Sequence, residues 1–211
     1  MFKKITRKSL EAFLAAYASQ ERVLDIGAGG STYGTFFPNR VSYDIDPARK
    51  PDIVGDAHEM PFVDGEFRMI VCTEVLEHLK DPIRAIIEMR RVLKHNGTLL
   101  LTTRFVYPIH DSPHDYWRFT KYGLRELFKE WEIVELREET DTCGTLAVLL
   151  QRIAFQTRLR ANRPLKFAVL ALAALVARLS WLIAEEYGDI KKATSETGIL
   201  SSGYYIVCKR R

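Results

Sequence analysis

The chain has 211 residues and a mass of 24.3 kDa, with 47% hydrophobic and 27% charged residues, 12 glycines and 8 prolines. That is enough apolar material for one buried core, and it excludes a disordered tail, a collagen-like chain and a low-complexity repeat. The net charge is +4, but no acidic residue lies between Asp141 and Glu185, so that block alone carries +6 and the remainder −2, and a nucleic-acid partner is not expected.

From about Ser9 to Ser19, Leu10, Phe13, Leu14 and Tyr17 recur at i, i+3, i+4 and i+7, the spacing of an amphipathic helix. Arg22-Val23-Leu24-Asp25-Ile26 is short and β-branched and runs into Gly27-Ala28-Gly29-Gly30, which predicts a strand followed by a glycine turn. Further short strands are expected around Arg40 to Tyr43, Asp52 to Val54 and Arg68 to Cys72. Asp81-Pro82 supplies a cap and a first-turn proline for a helix carrying Ile83, Ile86, Ile87 and Arg90 at helical spacing, with Asn96-Gly97 as its close. Thr98 to Thr103 is a nearly continuous apolar strand, as a central parallel strand covered on both faces requires. Thr120 caps a predicted helix through Phe128, Trp131 to Leu136 alternates like a strand, and Gly203 to Lys209 is the last strand. The alternation predicts a doubly wound α/β sheet with helices on both faces and a ligand at the carboxyl ends of its strands.

One segment interrupts the pattern. From about Thr142 to Ser202 the chain reads as a basic, apolar, helical insertion before the last strand of a single domain spanning 1–211. Two helices are expected there, roughly Leu146 to Leu159 and Leu165 to Tyr187, with Asn162-Arg163-Pro164 as the break. The apolar run Phe167 to Ala177 covers 11 residues between Lys166 and Arg178, whereas a spanning helix needs roughly 20. Its cations, Arg152, Arg158, Arg160, Arg163, Lys166 and Arg178, suit anionic headgroups if Phe167, Leu170, Leu172, Leu175 and Trp181 enter a membrane interface. The same stripe equally suits a helical hairpin that covers the active site or a dimer face. Cys72, Cys143 and Cys208 form no C-x-x-C pair, so they read as small buried hydrophobes in a reducing, cytoplasmic setting, and no metal site is evident. The basic arm Met1 to Ser9, with Lys3, Lys4, Arg7 and Lys8, lacks the apolar stretch of a signal peptide, and export is not expected.

The stretches that carry chemistry lie at the predicted strand ends. A tight turn at Gly27 and Gly29 lets the backbone approach a ligand where a Cβ would collide, and the amides that follow suit a nucleotide-like guest. A nicotinamide fingerprint G-x-G-x-x-G counted from Gly27 would place its last glycine at Thr32, which weakens that reading. Asp44, within Tyr43-Asp44-Ile45-Asp46, follows Asp25 by 19 residues, the distance at which an acidic tip accepts ribose hydroxyls. Gly55-Asp56-Ala57-His58 puts a carboxylate after the third strand, and Thr73-Glu74-Val75-Leu76-Glu77-His78 follows the fourth.

Together these four stretches, from about Arg22 to Thr103, resemble the class I S-adenosylmethionine-dependent methyltransferases, most closely the small-molecule methyltransferases with an L-D-I-G-x-G first motif. The resemblance implies a Rossmann-like, seven-stranded sheet and S-adenosyl-L-methionine as cofactor. It implies that Asp25 helps hold the methionine amino group, that Gly27 and Gly29 lie against the cofactor, and that Asp44, with Ile45 beside it, takes the ribose. Asp56 with the Ala57 backbone would take the adenine, and Thr73 and Glu74 would flank the methionine part. Two positions depart from the pattern: Ser31 replaces a common third glycine, and Arg68 replaces a common aspartate, which would alter a salt bridge beneath the fourth strand.

After the fifth strand, His114-Asp115-Tyr116-Trp117-Arg118-Phe119-Thr120 resembles a stretch of methyltransferases encoded among bacterial cell-envelope and glycan genes. It is a candidate acceptor wall, with His114 as proton acceptor oriented by Asp115 or Tyr116, and with His78, Asp115, Tyr116, Trp117 and Arg118 as substrate-binding candidates. Its structural alternative folds the loop back through an Arg118–Asp115 pair with Trp117 in the core, and His110 is given less weight than His114. The expectation is O-methylation of a small-molecule, glycan or lipid-linked acceptor. The rival from another class is a non-catalytic cofactor-binding or membrane-associated accessory protein. An RNA methyltransferase ranks last, for want of an RNA-binding module or an N-P-P-Y-type stretch.

Overall fold

The computed structural model describes residues 4–29, 32–160, 162–191 and 194–211, so Gly30 and Ser31 of the glycine turn, and Lys3 of the basic arm, lie outside the described residues. In chain order the strands are β1 (Val23–Ile26), β2 (Arg40–Asp44), β3 (Ile53–Val54), β4 (Phe67–Thr73), β5 (Leu93–Arg104), β6 (Glu132–Glu138), β7 (Tyr187–Asp189), β8 (Thr194–Ser195) and β9 (Gly203–Lys209). The helices are α1 (Ile5–Ala16), α2 (Pro82–Val92), α3 (Lys121–Leu127), α4 (Thr142–Gln156) and α5 (Asn162–Val176). Packing divides the chain into two compact units. The larger holds Glu11–Arg104, Ile109–Arg137 and Tyr204–Arg211, and the smaller Met1–Leu10, Phe105–Pro108 and Glu138–Gly203.

The seven-stranded α/β sheet has the order β3-β2-β1-β4-β5-β9-β6. Neighbours from β3 to β5 pair in parallel. At β9 the direction reverses: Asn96 N–H bonds Arg210 O and Phe105 N–H bonds Ser202 O, so residue numbers fall along β9 as they rise along β5, and the sheet is mixed. From β1 the chain builds outward to β2 and β3, then crosses to β4 on the other side. The order therefore switches between β1 and β4, where a crevice opens at the carboxyl ends. Register sets what meets there: Ile26 pairs Tyr43 on one side and Cys72 on the other, Asp44 pairs Val54, and Thr73 pairs Thr102. Gly27, Asp44, Gly55 and Glu74 therefore leave the sheet along one edge.

The strands β1 and β4 are covered on both faces, which explains their continuous apolar sequence; Leu24, Ile26, Ile70, Val71, Cys72, Leu99, Leu100 and Leu101 are all buried. Beyond them, the Phe13 ring stacks on Tyr205 at 4.7 Å, and the Arg137 guanidinium lies over both rings. The three cysteines are free and buried, on β4, α4 and β9.

Helix α2 begins as its sequence dictates. The Asp81 carboxylate accepts the Arg84 N–H at 3.1 Å, and Pro82 occupies the first turn. Its end differs from the expectation, because Leu93 turns extended and opens β5 four residues before Gly97. Gly97 is required for close approach instead: a Cβ there would lie 2.7 Å from Lys94 O and 3.0 Å from Arg68 O. The buried stripe of α2 is Pro82, Ala85, Ile86, Met89 and Val92, while Ile83 and Ile87 face solvent.

In the smaller unit α4 packs against α5, and Gln151 Oε1 accepts the Ile5 N–H at 3.1 Å. Residues 162–164 do not form the break that the sequence suggested. Helix α5 starts at Asn162, so Pro164 lies in its first turn, where a missing N–H leaves no bond unmade. Nor does α5 run to Tyr187. After Val176 the bonds tighten to i→i+3, from Arg178 N–H to Leu175 O and from Leu179 N–H to Val176 O, and a β7–β8 hairpin follows. Among the described residues, no helix is long and apolar enough to cross a membrane.

Candidate active site

The glycine turn after β1 is shaped by what surrounds it. Gly27 has φ +72°, and a Cβ there would overlap Val75 Cγ2 from the loop after β4. Its N–H bonds Tyr43 O at 2.8 Å, tying the turn to β2. Gly29 donates its N–H to Asp44 Oδ2 at 2.9 Å, and a Cβ at Gly29 would overlap the Arg49 side chain. The second Asp44 oxygen accepts the Asp46 N–H at 2.9 Å. A buried carboxylate thus stands at the tip of β2, aimed at the turn, with Ile45 beside it 67% exposed. An apolar side chain left in water at a strand tip is suited to lie against a flat heterocycle.

Asp25 is buried in β1, and its carboxylate bonds the Arg40 guanidinium at 2.7 Å across to β2. Asp56 accepts the His58 N–H at 2.9 Å and meets His58 Nδ1 at 2.5 Å. Burial pushes the Asp56 carboxyl upward, but the His58 contacts outweigh it and the net shift is downward. The Asp56 carbonyl accepts the Tyr43 O–H at 2.9 Å. Burial, with Asp56 and Glu88 nearby, pushes that phenol up to about 12, so it remains a donor. The connector that carries Asp56 and Ala57 is clamped to α2. Arg91 donates to Phe62 O at 2.6 Å, Met60 O at 2.9 Å and Asp64 at 2.9 Å, while Glu88 accepts the Met60 N–H at 2.8 Å.

Beyond β4, Glu74 takes φ +56° and donates its N–H to Thr102 O at 3.0 Å. Its carboxylate pairs with the buried Arg104 guanidinium at the end of β5. Val75, next to Glu74, meets Gly27 across the switch point. Arg68 lies elsewhere, exposed and 3.9 Å from Glu21.

The loop after β5 folds onto the turn after β4. The Glu77 carbonyl accepts the N–H groups of Tyr116 and Trp117 at 3.0 and 3.1 Å, and Trp117 Nε1 donates to Leu79 O at 2.9 Å. Arg118 grips Asp115 with two bonds of 2.6 and 2.7 Å. Those bonds hold the Asp115 carboxyl down at about 2. Trp117 and Tyr116 are both about two-fifths exposed, so Trp117 is not core. His114 Nδ1 lies 3.1 Å from Tyr116 Oη, and Tyr116 rather than Asp115 is its neighbour. His78 Nδ1 bonds His114 O at 2.6 Å, and its ring meets that of His110 edge-on at 4.7 Å. Burial drives His110 down to about 4, against the opposing pull of Asp115. Burial likewise raises Glu77, opposed chiefly by Arg104.

Gly27, Gly29, Asp44, Ile45, Asp56, Ala57, Thr73 and Glu74 lie at or follow the carboxyl ends of β1 to β4, Asp25 lies within β1, and His78 and residues 114–118 lie on the loops after β4 and β5. Three partners had no sequence signal: Arg104 on Glu74, Tyr43 on Asp56, and Glu77 under the loop. The residues fit an adenosine-type cofactor, on the strength of two positions that admit no Cβ, a buried acid at the β2 tip and an exposed Ile45 beside it.

Comparison with known proteins agrees. A family model described as a methyltransferase domain matches residues 24–101. An uncharacterised methyltransferase of Schizosaccharomyces pombe is 26% identical over 143 residues, covering 52% of this chain and 51% of its own length. The demethylmenaquinone methyltransferase of Renibacterium salmoninarum is 32% identical over 121 residues, covering 51% of this chain and 50% of its own. The chain thus spans about half the length of the curated relatives it matches. Among solved structures, the [4+2]-cyclase SpnF superposes with a TM-score of 0.60 at 18% identity, over 97% of this chain and 81% of that one, which shows a shared fold. Residues 24–101 thus match a methyltransferase-domain family, and the sheet that carries them has the class I S-adenosylmethionine-dependent methyltransferase fold.

Proposed function

We propose that this protein transfers a methyl group from S-adenosylmethionine to a hydroxyl of a small, glycan or lipid-linked acceptor. The observation that carries the reading is the buried Asp44 carboxylate aimed at a turn whose glycines admit no Cβ. Asp44 and Ile45 would hold the ribose and its base, Asp56 and the Ala57 backbone the adenine amino group, and Asp25, Thr73 and Glu74 the methionine end. When bound, the cofactor supplies an already activated sulfonium methyl, so the protein has chiefly to align the acceptor and exclude water.

His114 would take the acceptor's proton. If its Nδ1 keeps the hydrogen and donates to Tyr116 Oη, the lone pair on Nε2 is free to accept a hydroxyl proton as the methyl moves. Tyr116 then selects the tautomer, and the Arg118–Asp115 fork fixes the loop that carries both. His114→Ala is expected to slow transfer by roughly 10²- to 10⁴-fold without weakening cofactor binding; wild-type turnover would show His114 to be scaffolding.

The surface of the smaller unit favours an acceptor anchored in lipid. Phe167, Leu172, Leu175, Trp181 and Leu182 are exposed in the stretch between Asp141 and Glu185, whose charged residues are all positive. The test is incubation with labelled cofactor and separated lipid, glycan and RNA fractions. Label in the lipid or glycan fraction supports the proposal, label in RNA overturns the acceptor class, and cofactor binding without any transfer identifies an accessory protein.

A further inference from the structure

The turn after β4 and the loop after β5 bring together three groups that the methyl-transfer reading does not use as a set. We infer that Glu77, His78 and His110 bind one divalent first-row transition ion. One ligand atom from each lies within 4.8 Å of the other two, and Glu77 is fully buried while both histidines are partly open to solvent.

The hydrogen bonds decide which nitrogens keep a lone pair. His78 Nδ1 lies 2.6 Å from the His114 carbonyl, which can only accept, so Nδ1 carries the hydrogen and Nε2 the lone pair. His110 Nδ1 lies 3.5 Å from Asp115 Oδ2, and the Arg118 fork keeps that carboxylate ionised. The hydrogen of His110 therefore belongs on Nδ1, and its Nε2 faces Glu77 Oε1 at 3.9 Å. The other Glu77 oxygen is taken by the Thr103 hydroxyl at 2.8 Å, whereas Oε1 is buried without a hydrogen-bond partner. An imidazole lone pair thus faces a buried carboxylate oxygen, with the His78 ring in the same cluster, and such an arrangement repels itself unless a cation or a shared proton lies between.

The second partner of His78 matches that of a bound metal site, where the remaining imidazole N–H is held by a carbonyl, and Asp115 Oδ2 lies 3.5 Å from His110 Nδ1 on the corresponding side. Two imidazoles and one carboxylate suit zinc, iron, cobalt or nickel better than magnesium or calcium. Ligand atoms at bonding distance from a single ion lie roughly 3.0–3.5 Å apart, so side-chain movements of about 1 Å close the site. Three protein ligands leave a position for an acceptor oxygen, whose proton the ion would loosen. That use rests on the methyl-transfer reading; the binding itself does not.

The experiment is titration of chelator-stripped full-length protein with Zn²⁺ by calorimetry and with Co²⁺ by visible absorption, without S-adenosylmethionine. One ion per chain is expected, with affinity falling tenfold or more in His78→Ala and His110→Ala, and unchanged in His95→Ala, an exposed histidine on β5. Circular dichroism checks that each variant folds, and His78→Ala alone decides if His110→Ala does not. Absence of binding by the wild type up to millimolar ion would assign the gap to a shared Glu77–His110 proton and overturn the proposal. Wild-type affinity in the folded histidine variants would overturn it too. Calorimetry with the methyl donor alone separates failure of this site from failure of the cofactor reading.

Discussion

The carboxyl edge of the sheet and the surface of the smaller unit treat their side chains in opposite ways. Along the edge, charges are met: Asp25 by Arg40, Glu74 by Arg104, Asp115 by Arg118, Asp44 by two backbone amides. On the smaller unit Trp181 is 77% exposed and Phe167, Leu175 and Leu182 more than half so. Groups fixed before a ligand arrives lose little freedom on binding, which suits a small polar guest. Apolar side chains left in water suit a partner that buries them. Under the proposed function, the first region would hold the cofactor and the second would meet the acceptor's surroundings.

Substitutions along the edge should therefore have the largest effects. Asp44→Ala removes the carboxylate that orders the Gly29 and Asp46 amides and that we propose for the ribose. It is expected to weaken cofactor affinity by about 1–3 kcal/mol in calorimetry; unchanged affinity would remove the ribose role. Gly27→Ala places a methyl group against Val75 at a positive φ and should lower folding stability by about 1–2 kcal/mol in chemical denaturation. Adding Val75→Ala should recover the steric part and leave the backbone part. If the double variant gains nothing, the close approach of the two loops is not what selects glycine there.

These edge residues were readable in the sequence because each is local, a turn glycine or an acid at a strand end. The strand β9 was likewise read within its bounds, Gly203–Lys209. What escaped depends on contacts between distant positions. Arg104 meets Glu74 from 30 residues away, and Thr103 meets Glu77 from 26, with no periodicity to announce either. Two corrections have the same origin. Asn96-Gly97 was read as a helix close, although its glycine answers to Arg68 O on the neighbouring strand. Pro164 was read as a break because a proline ends or opens a helix with the same local signal, and only the packed α4–α5 pair distinguishes them.

A subtler contrast is in pH dependence. The Glu88 carboxyl is held below its usual value first by its bonds from Arg91, then, against burial, by the Met60 N–H, and this clamp steadies the Asp56 connector. A group depressed in the folded state stabilises fully above its unfolded pKa, about 4.3, and loses that contribution as pH falls through its folded value. Glu88→Gln should therefore cost about 1 kcal/mol at pH 7. The gap to the wild type in urea titrations should close on acidification below pH 4. A gap that persists at pH 3 would mean that shape, rather than charge, holds the connector.

The smallest effect belongs to the other region. Trp181→Ser exposes no cavity and breaks no bond, because the side chain already stands in water, so folding stability should stay within about 0.5 kcal/mol of the wild type. Its consequence should appear only in the presence of a partner. Partitioning onto anionic vesicles should weaken a few-fold, about 0.5–1 kcal/mol, since an interfacial side chain is only partly buried, and added salt should weaken the wild type as well. If instead the variant loses stability at constant affinity for vesicles, Trp181 packs within this unit in solution. The exposed apolar stripe would then belong to the fold rather than to a partner, and the contrast between the two regions would disappear.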